Sequence, residues 1–434
     1  MGKPLIMKLT NRLFLVLTLW LSATIFNTLS GQEAIFSITT SPSERTDSEM
    51  NFSWATDTTI KSATLEVAPL KDKRWKKAIT RTFEGVLCTT YDSIYSKTKS
   101  GENFYEDVVI NKFDANIDAL KSDKDYKYRI IAGGDTTETY YFTTSGAKRW
   151  SACVISDFHA YSPLYHRTKA AMDMIGVVED FEKGFDWILH LGDITAWGGS
   201  YSFWQNLYLE EPFINYMWAG VNGNHDNMTR QYGQSNKFFR DAAAYPRNGY
   251  EGEEGVCYHF KYGDVLFVML NNESMRDSAG LAAAQSWVKD VVTNNPSPYV
   301  VVCEHYQWFF GANGKDSQYG RWSELFDELG VNLALAGNNH IYMSSYPLYG
   351  GKVVDSQSGT TYIQVTSSDN ERGSACDLDA PLEYNSEKIK FRWTEGPKTV
   401  SALHLNVTPK KMTITLLDRN GSVLDQTEVL PRKR

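Results

Sequence analysis

The sequence is poor in the features that would make it a disulfide scaffold, a membrane protein or a nucleic-acid binder. Its five cysteines, Cys88, Cys153, Cys257, Cys303 and Cys376, are scattered and odd in number, and no two stand at metal-ligand spacing. Cys153 and Cys303 lie inside apolar strand-like runs, where a thiol usually serves as a small buried hydrophobe. The apolar run from Leu13 to Leu21 is too short to span a bilayer and is broken by Thr18, Ser22 and Thr24. No tandem repeat or low-complexity segment stands out. Cations are in deficit, 44 Lys and Arg against 52 Asp and Glu, and the formal charge of −8 argues against a general nucleic-acid-binding surface. A local positive site made by metal ions would not appear in that sum. What is present, 42% hydrophobic and 22% charged residues over 434 positions, is the balance of a soluble globular protein of two domains plus a short extra segment.

Residues 1–31 read as a secretory signal. Lys3, Lys8 and Arg12 precede the apolar run, and a small-residue stretch ends near Ser30 and Gly31. Met7 is an alternative start that would make this leader more compact. The expected product is secreted or periplasmic, with no stable membrane anchor after cleavage. No Cys follows the run to carry a lipid.

The remainder changes grammar near Trp150. Residues 32–146 alternate short strand-like runs with polar turns, as in Met50–Trp54, Ala63–Val67 and Tyr126–Ile131, with a Gly133-Gly134-Asp135 turn leading into Thr139–Thr143. This spacing predicts a small all-β sandwich of roughly 110 residues, resembling a fibronectin type III domain. Its basic run Lys71-Asp-Lys-Arg-Trp-Lys-Lys77 reads as a solvated hairpin face in preference to a binding patch. From 147 to 375, apolar β-branched runs recur at Trp150–Ser156, Trp187–Leu191, Tyr216–Val221, Val265–Leu270, Tyr299–Cys303 and Val331–Ala336. Helix-like stretches at Pro163–Phe181, Gly280–Val292 and Arg321–Leu329 lie between them. The fold class is therefore α/β, with sheet covered on its faces by helices. The segment 376–434 returns to strands and carries a hairpin signal at Arg419-Asn-Gly421. Thr144–Lys148 is the expected linker.

Five polar clusters follow apolar strands directly: Ser156-Asp157-Phe158-His159, Gly192-Asp193, Gly223-Asn224-His225-Asp226, Glu304-His305 and Gly337-Asn338-Asn339-His340. Ligands of α/β sheets bind outside the carboxyl ends of strands, so the clusters should converge on one rim. They hold four of the eight histidines, a concentration that packing does not explain. Carboxylate, amide oxygen and imidazole are the donors that hard and borderline cations take. One carboxylate can bridge two ions roughly 4 Å apart, the spacing of two-metal hydrolytic sites.

In this order the motifs resemble those of the calcineurin-like metallophosphoesterases: D-x-H, G-D, G-N-H-[DE], a His after an apolar strand, then G-H-x-H. The resemblance covers the whole second half and implies a β-sandwich flanked by helices in α/β/β/α layers. Within that family the likeness is to purple acid phosphatases, since Gly337-Asn-Asn-His-Ile-Tyr-Met-Ser-Ser-Tyr-Pro-Leu348 resembles their G-H-x-H-x-Y-E-R-x-x-P-L stretch. The leading β-sandwich and the strand-rich tail also look like theirs. Position by position, the resemblance implies two divalent metal ions. Asp157, His159, Asp193 and His340 would hold the first; Asp193, as bridge, with Asn224, His305 and Asn338 would hold the second. His225 would stand over the phosphoryl oxygens as acid or charge stabiliser, oriented by Asp226, and a hydroxide bridging the metals would be the nucleophile. The implied substrate is a phosphate monoester. A phosphodiester is the alternative, and a degenerate, non-catalytic binding protein is the reading from another class.

Two departures shape this expectation. Purple acid phosphatases carry Tyr three residues after the Gly-Asp aspartate, where this chain has Ala196, so a purple ferric centre is not expected and Mn, Fe(II) or Zn is. Asn338 stands where the family has His, which predicts a weaker second site; Met343 and Ser344 replace the family's E-R pair. Among the other histidines, His190, His259 and His404 read as packing. Trp197, Tyr201, Trp204, Tyr306 and Trp308 flank the motifs and fit either a pocket wall or a core. Arg230 and Lys237 read as surface charge.

Overall fold

Alternating apolar and polar residues make the first strands of the computed structural model, which describes residues 34–94, 104–161, 164–228, 235–309, 317–368, 386–394 and 399–432. The expected leader, Cys376 and Arg230 lie outside the described residues. Strands β1 (Ile35–Ser41), β2 (Met50–Thr56), β3 (Ser62–Pro69), β4 (Ile79–Glu84), β5 (Val86–Ile94), β6 (Phe104–Ile117), β7 (Asp125–Ala132), β8 (Asp135–Thr136) and β9 (Tyr140–Thr143) fill the N-terminal region, which is all β. β3, β4, β7, β8 and β9 form one sheet, while β1, β2, β6 and β5 form an antiparallel run of another. Phe52, Trp54, Leu65, Val67, Phe113 and Tyr128 are buried, with Trp54 stacked on Phe113 at 5.1 Å and Phe52 edge-on to Tyr128 at 4.9 Å. Burial of a side chain of this size contributes about 1.5–3 kcal/mol. Gly133 and Gly134 take positive φ in the predicted turn.

The second half supplies β10 (Trp150–Ile155), α1 (His166–Asp180), β11 (Trp187–His190), α2 (Tyr201–Leu207), α3 (Glu211–Asn215), β12 (Met217–Gly220), α4 (Lys237–Ala242), β13 (Tyr258–Tyr262), β14 (Val265–Met269), α5 (Ser278–Asn294), β15 (Tyr299–Cys303), α6 (Tyr319–Leu329), β16 (Leu333–Ala336), β17 (Tyr342–Ser345), β18 (Leu348–Tyr349), β19 (Lys352–Val353), β20 (Thr361–Gln364), β21 (Ile389–Trp393), β22 (Ser401–Val407), β23 (Met412–Asp418) and β24 (Val423–Val429). Each expected strand forms within a residue or two of its apolar run. Two sheets result: a ten-stranded one in the order β24-β23-β22-β10-β11-β12-β1-β2-β6-β5, and a seven-stranded one in the order β13-β14-β15-β16-β20-β17-β21. β10, β11 and β12 run parallel, as do β14, β15, β16 and β20. The β1–β12 pairing, also parallel through Thr40 and Met217, makes the N-terminal strands continuous with the first of these sheets. The β23–β24 hairpin turns where the Asn420-Gly421 pair was read.

The two sheets share a core. Trp187 meets Phe267 edge-on at 5.1 Å and Trp150 meets Tyr262 at 4.8 Å across the interface. Helices close the outer faces. In α1 the buried residues Ala171, Met174, Ile175 and Val178 fall at helical spacing on one stripe, as do Tyr319, Trp322 and Phe326 in α6. α5 starts at Asp277, whose carboxylate accepts the Gly280 N–H at 2.8 Å, and α6 ends at Gly330 with φ +68°. The layers are thus α/β/β/α. The thiols of Cys153, Cys257 and Cys303 are buried and unpaired, and burial pushes them all up from the usual thiol range. No helix among the described residues is long and apolar enough to cross a membrane.

Candidate metal centre

All five polar clusters sit at carboxyl ends of parallel strands. Asp157 follows β10, Asp193 follows β11, Asn224 follows β12, His305 follows β15, and Asn338 and His340 follow β16. The ladders run on past the strands: Asp157 N–H donates to Gly192 O, His159 N–H to Asp193 O, and Gly337 N–H to His305 O. Rigid backbone therefore delivers the side chains from both sheets to one rim.

The turn at each strand end is tight. Asp157, His159, Asp193, Asn338 and His340 all take positive φ, between 46° and 66°, and account for five of the ten such non-glycine residues among those described. This left-handed backbone costs energy for residues with a Cβ and persists where surrounding structure over-determines it, commonly at functional sites. Glycine is required where loops touch. A Cβ on Gly192 would lie 2.4 Å from His305 Nδ1, and one on Gly337 would lie 2.1 Å from Ser156 Oγ.

The donor atoms converge. Asp157, His159 and His340 bring ligand atoms within 4.8 Å of one another, as do Asp157, Asp193 and His305, and His159, Asp193 and His225. Asp193 Oδ2 lies 3.2 Å from His159 Nε2 and 3.3 Å from His305 Nε2, while its Oδ1 accepts the His225 N–H at 2.8 Å. Asp157 Oδ2 accepts Ser156 Oγ at 2.5 Å and the Asn338 N–H at 3.1 Å. Its fully buried Oδ1 has no directed hydrogen bond and faces His340 Nε2 at 3.3 Å. Asn224 Oδ1 stands 3.2 Å from His305 Nε2. His305 Nδ1 is 2.8 Å from Leu191 O, so it donates there and turns Nε2 to the cluster. Burial alone would raise both carboxyls, yet the imidazoles beside them hold Asp157 and Asp193 below the usual carboxylate range. The same pairing raises His305 against its own burial. Two buried carboxylates balanced only by imidazoles, one of their oxygens left without a directed donor, and an amide oxygen alongside form a donor set that fits divalent cations.

One side chain differs from expectation. Asp226 does not orient His225: its carboxylate accepts the N–H groups of Thr195 at 2.9 Å, Gly223 at 3.0 Å and Ile194 at 3.3 Å, joining the Asp193 loop to the Asn224 loop. A buried carboxylate facing three amides is taken up by backbone, and the imidazole next to it bonds elsewhere. His225 Nδ1 pairs with Ala196 O at 2.8 Å. Burial and the charge of Asp193 push the Asp226 carboxyl up to about 7. Asn338 gives its amide nitrogen to Gln307 Oε1 at 2.5 Å; Gln307, which is buried, carries no sequence signal beyond its place two residues after His305.

Residues 152–342 match the calcineurin-like phosphoesterase family. Two uncharacterized proteins of Mycobacterium tuberculosis, from strains CDC 1551 and H37Rv, are each 26% identical to this chain over 159 residues, 32% of this chain and 30% of their own length. The chain thus matches less than a third of those relatives. Among solved structures, a purple acid phosphatase from yellow lupin seeds superposes with a TM-score of 0.70 at 15% identity, covering 92% of this chain and 75% of that one. The structure of PhoD does so at 0.60 and 14% identity, covering 94% of each chain. These likenesses establish the metallophosphoesterase fold. The buried Asp and His groups of the centre all fall inside the matched stretch.

Around the centre the flanking aromatics divide between wall and core. Trp308 is fully buried against Phe326 and Tyr362, and Trp204 is buried with its indole N–H on Gly198 O at 2.8 Å. Trp197 and Tyr306 are half-buried. Tyr161, two residues after His159, meets Trp197 edge-on at 5.6 Å and adds to that wall. His190 packs under the centre, edge-on to Phe158 at 4.4 Å, with Nδ1 accepting the Gly192 N–H at 3.1 Å. His404 donates from Nε2 to Gly184 O at 3.1 Å, and His166 is exposed at the start of α1. Lys237 pairs with Asp241 on its own helix.

Proposed function

We propose that this chain is an exported phosphoesterase that hydrolyses phosphate monoesters with two divalent ions, Mn, Fe or Zn. Asp157, His159, Asp193 and His340 would hold one ion and Asp193, Asn224, His305 and Asn338 the other. The observation that carries the reading is the sharing of Asp157 and Asp193 between overlapping donor triads. Bound there, the ions would acidify a water and offset phosphoryl charge.

The protein's own groups do the rest. Ser156 and the Asn338 N–H fix one oxygen of Asp157, so the other is held toward the centre. Leu191 O and Ala196 O fix the Nδ1 atoms of His305 and His225, so their Nε2 atoms point inward. His225 is half-buried at the rim, where it can give a proton to the leaving oxygen or bond a phosphoryl oxygen. Half-buried Trp197, Tyr161 and Tyr306 line the approach. The export half of the proposal rests on the charged and apolar pattern of residues 1–31.

A phosphodiester would meet the same groups, and substrate panels separate the two. A second reading is a centre that binds one ion and does not turn over, since Asn338 offers an amide oxygen where the resemblance expects an imidazole. The deciding experiment measures metal content and hydrolysis of chromogenic mono- and diesters by the metal-loaded protein. About two equivalents of metal with monoester turnover supports the proposal. One equivalent and no turnover of either ester sinks it.

A further inference from the structure

The turn between β3 and β4 carries Lys71, Lys73, Arg74, Lys76 and Lys77 around a single acid, Asp72. In a chain of net charge −8 this tip is a local reversal of sign. In the same region Arg81 pairs with Asp118, Lys112 with Asp114 and Arg129 with Glu66, while the exposed Lys61, Lys121 and Lys124 stand singly, without an ion pair among the described residues. None of the five tip cations makes an ion pair among the described residues. All five are exposed. Asp72 does not neutralise them, because its carboxylate is turned inward to accept the N–H groups of Lys77 at 2.6 Å and Arg74 at 3.4 Å.

The tip is also held in shape. Trp75 takes φ +58°, its carbonyl accepts the Ala78 N–H, and its ring packs on Lys127 Nζ at 4.2 Å and Arg129 Cζ at 4.4 Å. The indole is therefore engaged by cations of β7 and pins the turn to the sheet. Beside it, Leu70 is 39% exposed. A turn held by these contacts, with five exposed cations free of ion pairs and an exposed Leu, meets the requirements of a flat anionic surface. A nucleic-acid strand would want a groove and an aromatic face open for base stacking, and the Trp75 ring is already covered.

We infer that the β3–β4 tip docks this protein onto an anionic lipid surface, with the acidic remainder of the molecule held away from it by like charge. Docking is peripheral and reversible. It requires nothing of the metal centre, so it stands whether or not the phosphoesterase reading does.

The test is co-sedimentation of the full chain with vesicles of pure phosphatidylglycerol and of pure phosphatidylcholine. At about 10 mM salt, where charges act over about 30 Å, the protein should pellet with phosphatidylglycerol and stay soluble with phosphatidylcholine. Raising salt to about 150 mM should weaken binding, because the screening length falls to about 8 Å. Each cation removed should cost about fivefold, so Lys73→Ala, Arg74→Ala and Lys76→Ala together should weaken binding about a hundredfold. Hydrolysis of a soluble ester should be unchanged in that variant; if it is lost, the pair Lys71→Ala and Lys77→Ala decides by the same measure. Equal binding to both vesicles, or binding indifferent to these substitutions, overturns the inference. So does tighter, equally cation-dependent binding to a single-stranded oligonucleotide.

Discussion

The imidazole Nδ1 of His225 lies 2.8 Å from the carbonyl oxygen of Ala196. That bond is made by backbone and fixes which ring edge faces the cluster, so replacing His225 should remove a proton donor without disturbing the carboxylates. His225→Ala is expected to lower turnover about a hundredfold or more, the usual scale for a lost general acid. Bound metal, measured by elemental analysis, should stay nearly the same. Parallel loss of metal would make His225 a ligand, a role its place beside His159 and Asp193 permits.

Asp226 should behave as a structural clamp. Its two oxygens serve the N–H groups of Ile194, Thr195 and Gly223, all buried. Asp226→Ala leaves three donors without acceptors, at about 1–3 kcal/mol each before relaxation. A loss of about 3–5 kcal/mol in urea unfolding is expected, with weaker metal retention as the two loops separate. Asp226→Asn keeps one acceptor but turns an amide NH2 donor toward N–H donors, so it should rescue only part. Full stability in Asp226→Ala would refute the clamp.

The chemistry-bearing residues were legible because each follows a continuous apolar run, and a parallel strand buried on both faces can hardly be written any other way. What sequence reading missed has no local pattern. The joint between β1 and β12 pairs Thr40 with Met217 across 177 positions, and edge-to-edge sheet continuation leaves no periodicity in either strand. Asp226 looked like a partner for its neighbour His225 because adjacency is visible in a sequence, whereas three amides of other loops are not. Gln307 and Tyr161 were passed over for the same reason: a single polar or aromatic residue declares its role only when the chain that faces it is in place.

Asn338 tests the second ion. Its amide nitrogen is fixed by Gln307, which leaves a carbonyl oxygen as the only donor it has for a cation. Imidazole binds borderline cations better than an amide oxygen does. Asn338→His should therefore raise the affinity for the second equivalent of Zn or Mn in a calorimetric titration, while the first equivalent changes little. Gln307→Ala, which frees the amide, should shift the second equivalent and spare the first. Unchanged affinities in both variants would mean that Asn338 is not a ligand.

His190 gives the fold a built-in acid sensitivity. Burial lowers its imidazole to about 3 against an unfolded value near 6.5, outweighing the carboxylate of Asp157, which pulls the other way. Between those two values the unfolded chain binds a proton that the folded one refuses, so this group's contribution is intact above about pH 6.5 and stability falls as pH drops below it. The loss is about 1.4 kcal/mol for each unit, continuing to about pH 3. His190→Asn should keep an acceptor near the Gly192 N–H yet carry no titrating group. Its stability relative to the parent should therefore improve by that slope as pH falls below about 6.5, read from urea midpoints across the range. Parallel curves for the two proteins would show that His190 is protonated as readily folded as unfolded, and that the packing against Phe158 and Gly192 does not exclude its charge.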